Sequence, residues 1–232
     1  MEKRPDVGKK TKLTAGVILA VMAGVFCNRP DALLEKGAIN LELGDYMRAR
    51  RYFEEAVDGY PTSAPARRGL GKALLQQFSA NPHDTSLIPV CLTQLEAART
   101  LEPDGEVEKL LGIVWFRRAN GLLAVYDTLA ALQALSRSTS LDPLATGPVN
   151  LAGILYYHRG ETDKALNLFR KVTSIDSMSA SGYFNTGMVY WTDGNFTAAY
   201  DCFFRAAQRS PEDREILLWA ARAKQSAAPG KQ

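Results

Sequence analysis

One pattern of residues is written twice in succession between Thr146 and Asp213, and it limits the folds open to this chain more than any other feature. Each of its members recurs after an interval of 34 residues. The first copy consists of Gly153, Tyr156, Gly160, Ala165 and Phe169, and the second of Gly187, Tyr190, Gly194, Ala199 and Phe203. A repeat of this length predicts a unit of two short helices that stacks on neighbours of the same kind.

Each copy divides into two amphipathic stretches, which meet at Gly160 in the first copy and at Gly194 in the second. Apolar residues at helical spacing predict a helix on either side of that glycine, and glycine allows the sharp reversal between them. The mid-helix Gly153 predicts close approach of a second helix, since glycine costs about 1 kcal/mol there relative to alanine. We expect Ala165 to be its counterpart, and Ala199 to be the counterpart of the equivalent glycine in the second copy.

The same pattern extends in looser form over residues 30–227 and predicts an all-α chain of five repeats. Strand signals are almost absent, and 46% of the residues are hydrophobic, enough for a sizeable core. The second repeat is eight residues longer than the standard unit, and the third is six residues longer. A helix over 214–227 is predicted to cap the stack, followed by a disordered tail over 228–232.

An apolar segment, Leu13 to Cys27, follows a basic tail over residues 1–12. As a helix it would span roughly 22 Å, less than the hydrocarbon core of about 30 Å. Three fates stay open: a retained signal anchor, which we favour, a cleaved signal peptide, or lipid attachment at Cys27. The lysines ahead of the segment predict a single-pass protein whose repeats lie on the non-cytoplasmic (periplasmic) side.

Charge and cysteine usage exclude several classes of function. The net charge of +3 comes from residues 1–12, which leaves 23 basic and 23 acidic residues in the rest of the chain, so no nucleic-acid partner is expected. Cys27, Cys91 and Cys202 are far apart, and no metal-ligand spacing joins them to a histidine. No phosphate loop or nucleophile motif is present, so we expect no catalytic residue, no cofactor and no metal site.

These residues resemble the tetratricopeptide repeat (TPR) family over roughly residues 30–227. The resemblance implies a right-handed α-solenoid of helix hairpins that binds a peptide or an amphipathic helix of a partner protein in a concave groove lined by first helices. It also implies a scaffold or adaptor rather than an enzyme. The sequence departs from the family at the first-helix tryptophan, where Leu33, Val149 and Tyr183 stand instead.

Transfer of the groove positions from the family to this chain implies a partner-binding row on the first helices of repeats three to five. The row consists of Lys109, Ile113, Phe116, Asn150, Ile154, Tyr157, Phe184, Met188 and Trp191. The alternative is that these side chains belong to the core. At the same face repeats one and two carry charged residues, among them Arg68 and Lys72, which form either an extension of the groove or a solvated surface.

The sequence therefore predicts a membrane-anchored scaffold or adaptor, an accessory or assembly subunit of a membrane or cell-envelope complex. A second hypothesis is a secreted or periplasmic structural protein, lipid-anchored in one version, that self-associates. In that case the apolar insertion in the third repeat, Leu122 to Tyr126, is the expected contact.

Overall fold

The computed structural model describes residues 30–82 and 84–228, and all its regular elements are α-helices. The basic tail, the apolar segment Leu13 to Cys27 and residues 229–232 lie outside the described residues. The chain divides into two compact units, Met1–Leu110 and Leu111–Gln232. None of the described helices is long and apolar enough to cross a membrane.

The first unit contains two antiparallel helix pairs. Its helices are α1 (Pro30–Glu42), α2 (Tyr46–Gly59), α3 (Ala64–Ala80) and α4 (Leu87–Leu101). Phe53 of α2 is buried where glycines of the two neighbouring first helices, Gly37 and Gly69, leave room for its ring. In the second pair the thiol of Cys91 lies 3.2 Å from the carbonyl oxygen of Gly71. The pairs therefore pack through small residues on first helices and larger side chains on second helices.

Helix α5 (Gly105–Ala124) begins in the first unit and ends in the second. The other helices of the second unit are α6 (Thr128–Leu141), α7 (Thr146–His158), α8 (Thr162–Ile175), α9 (Ala180–Thr192), α10 (Phe196–Arg209) and α11 (Arg214–Ser226). Residues 30–209 thus form five successive helix pairs, and α11 packs against α10 at the end. This arrangement confirms the predicted all-α fold class with a final capping helix.

The turns inside the helix pairs follow one local design. Gly44, Gly160 and Gly194 all have φ close to +75°, and the residue after each glycine is the N-cap of the second helix. Tyr126 stands in the same place before α6 and has φ of +63°. A tyrosine in this left-handed region is uncommon, because its Cβ crowds the neighbouring backbone.

Three local details of the structure go beyond what the repeat pattern predicts. The atoms nearest to a Cβ added at Gly153 belong to the Phe169 ring, and the two nearest to one added at Gly187 belong to the Phe203 ring, so these rings fill the space beside the glycines. Helix α4 has its N-cap at Ser86. The insertion in the third repeat lengthens α5 to 20 residues, because no residue before Ala124 interrupts its helical pattern.

Candidate partner-binding surface

All nine residues of the predicted binding row lie on first helices of their pairs. Lys109 belongs to the first unit, where its side chain is exposed. The remaining eight belong to the second unit and lie on α5, α7 and α9: Ile113, Phe116, Asn150, Ile154, Tyr157, Phe184, Met188 and Trp191. On α7 and α9 the predicted residues form two adjacent rows, and these rows together are the candidate surface.

Two side-chain hydrogen bonds tie α7 to α9 across this surface. Asn185 Nδ2 donates to Asn150 Oδ1 over 2.8 Å. The hydroxyl groups of Tyr157 and Thr192 lie 2.6 Å apart. Because Thr192 Oγ1 donates its hydrogen to the carbonyl oxygen of Met188, the Tyr157 hydroxyl is the donor to Thr192. These bonds fix Asn150 and Tyr157 in place on the first helices.

Asn185 and Thr192 are functional candidates that the sequence did not indicate. Each directly follows a residue of the predicted row, Phe184 or Trp191, so each lies 35 residues after its partner instead of 34. A search for polar residues one step beyond the repeat period would have found both. The polar pairs divide the apolar row and add amide and hydroxyl groups to it.

Most side chains of the predicted row in the second unit are partly exposed to solvent. Ile113 is exposed, with 42% of its surface accessible. The others in the second unit are half-buried: Phe116, Asn150, Ile154, Tyr157, Phe184, Met188 and Trp191. Ile154 and Tyr157 rest on a buried cluster that contains Phe169 and Val189. The packing role is therefore present in these side chains, and partner binding by their accessible parts stays a prediction.

Trp191 also has a packing role. Its ring makes edge contacts with Phe196 at 4.9 Å and with Trp219 of α11 at 5.4 Å between centroids. Phe184 packs in turn against Phe203, with ring centroids 5.5 Å apart. The end of the row therefore depends on α11 for its shape, and removal of the Trp191 ring would loosen that helix as well.

In the first unit the equivalent face is charged and internally paired. Arg68 forms ion pairs with Asp104 and Glu106, and Lys72 forms one with Glu106. The backbone N–H of Glu106 is the largest cause of the lowered pKa of Asp104; desolvation opposes it, and the Arg68 guanidinium adds to the lowering. Beside this network is an open cavity of about 320 Å³, lined by Leu41, Tyr46, Lys72, Leu75, Gln76 and Leu110.

The apolar insertion of the third repeat is half-buried in its first part and exposed in its last part. Leu122 and Leu123 are half-buried against the cluster of Leu132 and Leu135, whereas Val125 and Tyr126 point outward with 70% and 92% of their surfaces exposed. Self-association through this turn stays a prediction. Over residues 30–82 and 84–228, no group of three or more His, Cys, Asp or Glu side chains has a geometry that could hold a metal ion.

Comparison with solved structures identifies the fold. The crystal structure of MamA protein superposes with a TM-score of 0.55 at 19% identity, covering 80% of this chain and 94% of MamA. YrrB, described as a TPR protein with an unusual peptide-binding site, gives a TM-score of 0.56 at 20% identity over 88% of this chain and 97% of its own. The fold is a TPR solenoid.

One family model gives the same repeat type over part of the chain. Residues 34–78, in the first unit, match the tetratricopeptide repeat family. Protein bimA of Emericella nidulans is 29% identical over 112 residues, which are 48% of this chain and 14% of bimA. Anaphase-promoting complex subunit 3 of Schizosaccharomyces pombe is 24% identical over 190 residues, which are 82% of this chain and 26% of that subunit. The matched regions thus span about a quarter or less of these curated relatives.

Proposed function

We propose that this chain is a non-catalytic TPR scaffold that holds a segment of a partner protein against its first helices and is attached to a membrane by residues 13–27. In this role it serves as an accessory or assembly subunit of a membrane or cell-envelope complex. The TPR fold supports a scaffold function, because stacked helix pairs present extended surfaces for binding. YrrB is described as having a peptide-binding site, and we extend peptide binding to this chain as part of the proposal.

One observation carries the proposal: apolar first-helix side chains on α7 and α9 remain half-exposed although hydrogen bonds hold the row in place. Ile154 and Met188 supply aliphatic surface, and the Tyr157–Thr192 and Asn150–Asn185 pairs supply polar groups. A row of this composition suits an amphipathic helix, which would bury its apolar stripe and place polar residues over the amides and hydroxyls.

Affinity purification of the intact protein tests this surface. Ile113→Glu and Ile154→Glu place a carboxylate in the row without removing the aromatic contacts to α11, and both should reduce partner recovery at least about tenfold. Leu144→Glu is the matched control, because Leu144 is an exposed leucine in the turn before α7. Thermal melts of each variant exclude unfolding as the cause. Equal recovery from all four proteins would reject the surface.

Attachment to the membrane is proposed from residues 13–27 alone, whose 15 positions are apolar or small and uncharged. Flotation of the full-length chain with lipid vesicles tests it against Val17→Lys/Leu19→Lys, which places two charges in the segment. The native chain should float and the variant should stay in the dense fraction. If both stay with the dense fraction, the attachment is wrong while the binding surface is untouched.

A further inference from the structure

The second helices of the second unit correspond to one another residue by residue. Helices α6, α8 and α10 begin 34 residues apart, at Thr128, Thr162 and Phe196, so each position of one helix has an equivalent in the next. Between α8 and α10 the guanidinium of Arg170 donates to the hydroxyl of Tyr190, at the end of α9, over 3.0 Å. An arginine of this chain therefore occupies the groove between these two second helices.

The equivalent groove between α6 and α8 lacks this arginine. The position 34 residues before Arg170 is Ser136, and the tyrosine 34 residues before Tyr190 is Tyr156. Ser136 and Tyr156 both line an open cavity of about 340 Å³. Within the described residues, no group forms a hydrogen bond with the Tyr156 hydroxyl. Because a serine side chain is much shorter than an arginine, it leaves this groove unfilled and the tyrosine available.

The cavity between α6 and α8 combines apolar and charged lining. Leu132 is 9% exposed and belongs to a buried cluster, whereas Leu129, one turn earlier on α6, has 64% of its surface exposed. Arg159 and Lys164 line the cavity from α8 and the turn before it, and Glu161 forms ion pairs with both, over 2.9 and 2.6 Å. Since one carboxylate is shared by two cations, the charged lining has a net charge of +1.

The two grooves differ in the sign of the charges at equivalent positions. Where the cavity has Leu129 and Arg159, the groove between α8 and α10 has Asp163 and Asp193. Carboxylates at these positions favour the cationic side chain of Arg170, which enters that groove. By the same electrostatic reasoning, the cavity between α6 and α8 favours an anionic group.

We propose that this cavity is a second docking site, which receives an acidic side chain and a neighbouring apolar side chain from a segment of a partner protein. The carboxylate accepts hydrogen bonds from the hydroxyls of Tyr156 and Ser136 and pairs with Lys164, whose ammonium lies 5.2 Å from the centre of the Tyr156 ring. The apolar side chain covers Leu129 and Leu132. The site lies between second helices, so the inference does not depend on the first-helix row of α7 and α9.

NMR titration of the full-length chain in a non-ionic detergent tests the site with defined peptides. The probes are acetyl-Leu-Glu-amide and acetyl-Glu-Leu-amide, each compared with the peptide that has glutamine in place of glutamate. At least one acidic peptide should shift the ring signals of Tyr156, with a Kd on the order of 1 mM. The glutamine peptides should bind about fivefold more weakly, and the ring signals of Tyr190 should not move.

Reciprocal variants separate the cavity from the rest of the surface. Ser136→Arg gives the cavity the arginine that the next groove has, so it should abolish peptide binding. Arg170→Ser opens the groove beside Tyr190, but the carboxylates at that groove should prevent a second site from forming. Lys164→Gln and Tyr156→Phe should each weaken binding by about fivefold, through loss of a cation or of a hydroxyl donor. Thermal melts check that every variant is folded.

Four outcomes would overturn the docking site. These are no shift of Tyr156 with either acidic peptide, equal binding of the glutamine peptides, native binding by Ser136→Arg, or binding of free glutamate as tight as that of the peptides. The last outcome would make the cavity a site for a small anion instead of a partner segment. None of them bears on the first-helix surface, which affinity purification tests separately.

Discussion

The ring of Phe169 fills the space that Gly153 leaves open on the first helix of the same pair. A Cβ placed on Gly153 would lie 2.5 Å from Phe169 Cε1, and one on Gly187 would lie 2.7 Å from Phe203 Cε1. Phe169 is 1% exposed and Phe203 is fully buried, so neither ring has free space to move into. Each glycine thus sets the distance between the two helices of its pair.

Gly153→Ala should lower the free energy of unfolding by about 1 kcal/mol. The methyl group overpacks the ring at a cost of about 1–3 kcal/mol. That cost outweighs the gain of about 1 kcal/mol from alanine in a helix. Gly121→Ala in α5 is the matched control: no atom lies within 4 Å of its added Cβ, so it should raise stability by about 0.5–1 kcal/mol. Urea unfolding compares the two, and equal effects would contradict this account of the packing.

The turn at Tyr126 should be less stable than the equivalent turns that have a glycine at this position. Gly160→Ala places a Cβ in the left-handed region with no steric neighbour, so it should cost about 1 kcal/mol from backbone conformation alone. Tyr126→Gly relieves the same conformation and should raise stability by up to about 1 kcal/mol, less the entropy that glycine adds to the unfolded chain. Thermal unfolding measures both. Destabilisation by Tyr126→Gly would show that the tyrosine side chain makes a stabilising contact.

Cys91 should react with alkylating reagents only when the first unit opens. Burial raises the pKa of its thiol to about 12, and only 2% of its surface is exposed. Its contribution to stability is complete below the ordinary pKa of 9.0 and is lost as pH rises from there toward 12. Mass spectrometry of a Cys27→Ser/Cys202→Ser variant with iodoacetamide measures the rate. Labelling of the native protein at neutral pH as fast as an unfolded control contradicts the burial.

The Asp104 carboxyl should titrate below its ordinary pKa of 3.8 even without Arg68. The backbone N–H of Glu106 is the largest cause of the lowered pKa, so Arg68→Met should restore only part of it. Because the folded pKa is lowered, the stabilisation is present above pH 3.8 and is lost as pH falls through the folded value. Carbon-detected NMR titration follows the carboxyl directly. A complete return to the ordinary pKa in Arg68→Met would assign the effect to the ion pair instead.

The repeat period predicted most of the fold, because it records which residues meet between helices. It identified the helix pairs and the glycines of the α7–α8 and α9–α10 turns. It did not predict the Tyr126 turn, since a tyrosine carries no signal for a positive φ. The length of α5 was missed for a related reason: an apolar insertion without a helix breaker continues the helix, and the repeat pattern alone does not show where it ends.

The candidate surface was only partly accessible to sequence reasoning. Spacing placed Tyr157 and Trp191 on equivalent positions of α7 and α9, and the structure has them there. It did not show that Tyr157 forms a hydrogen bond with Thr192. Which side chains meet between stacked helices depends on how the helices pack, and the repeat period alone does not give this. Nor did it show that Trp191 packs on Trp219, since that contact depends on how closely α11 approaches α9.

Photocrosslinking in cells tests the binding surface most directly. A benzophenone amino acid is introduced singly at Ile113, Ile154 or Met188 on first helices, and at Val90 or Phe204, which are exposed on second helices. The account predicts one adduct of the same mass from the three first-helix positions and none from the other two. Adducts from Val90 or Phe204 alone, with none from the first helices, would contradict it.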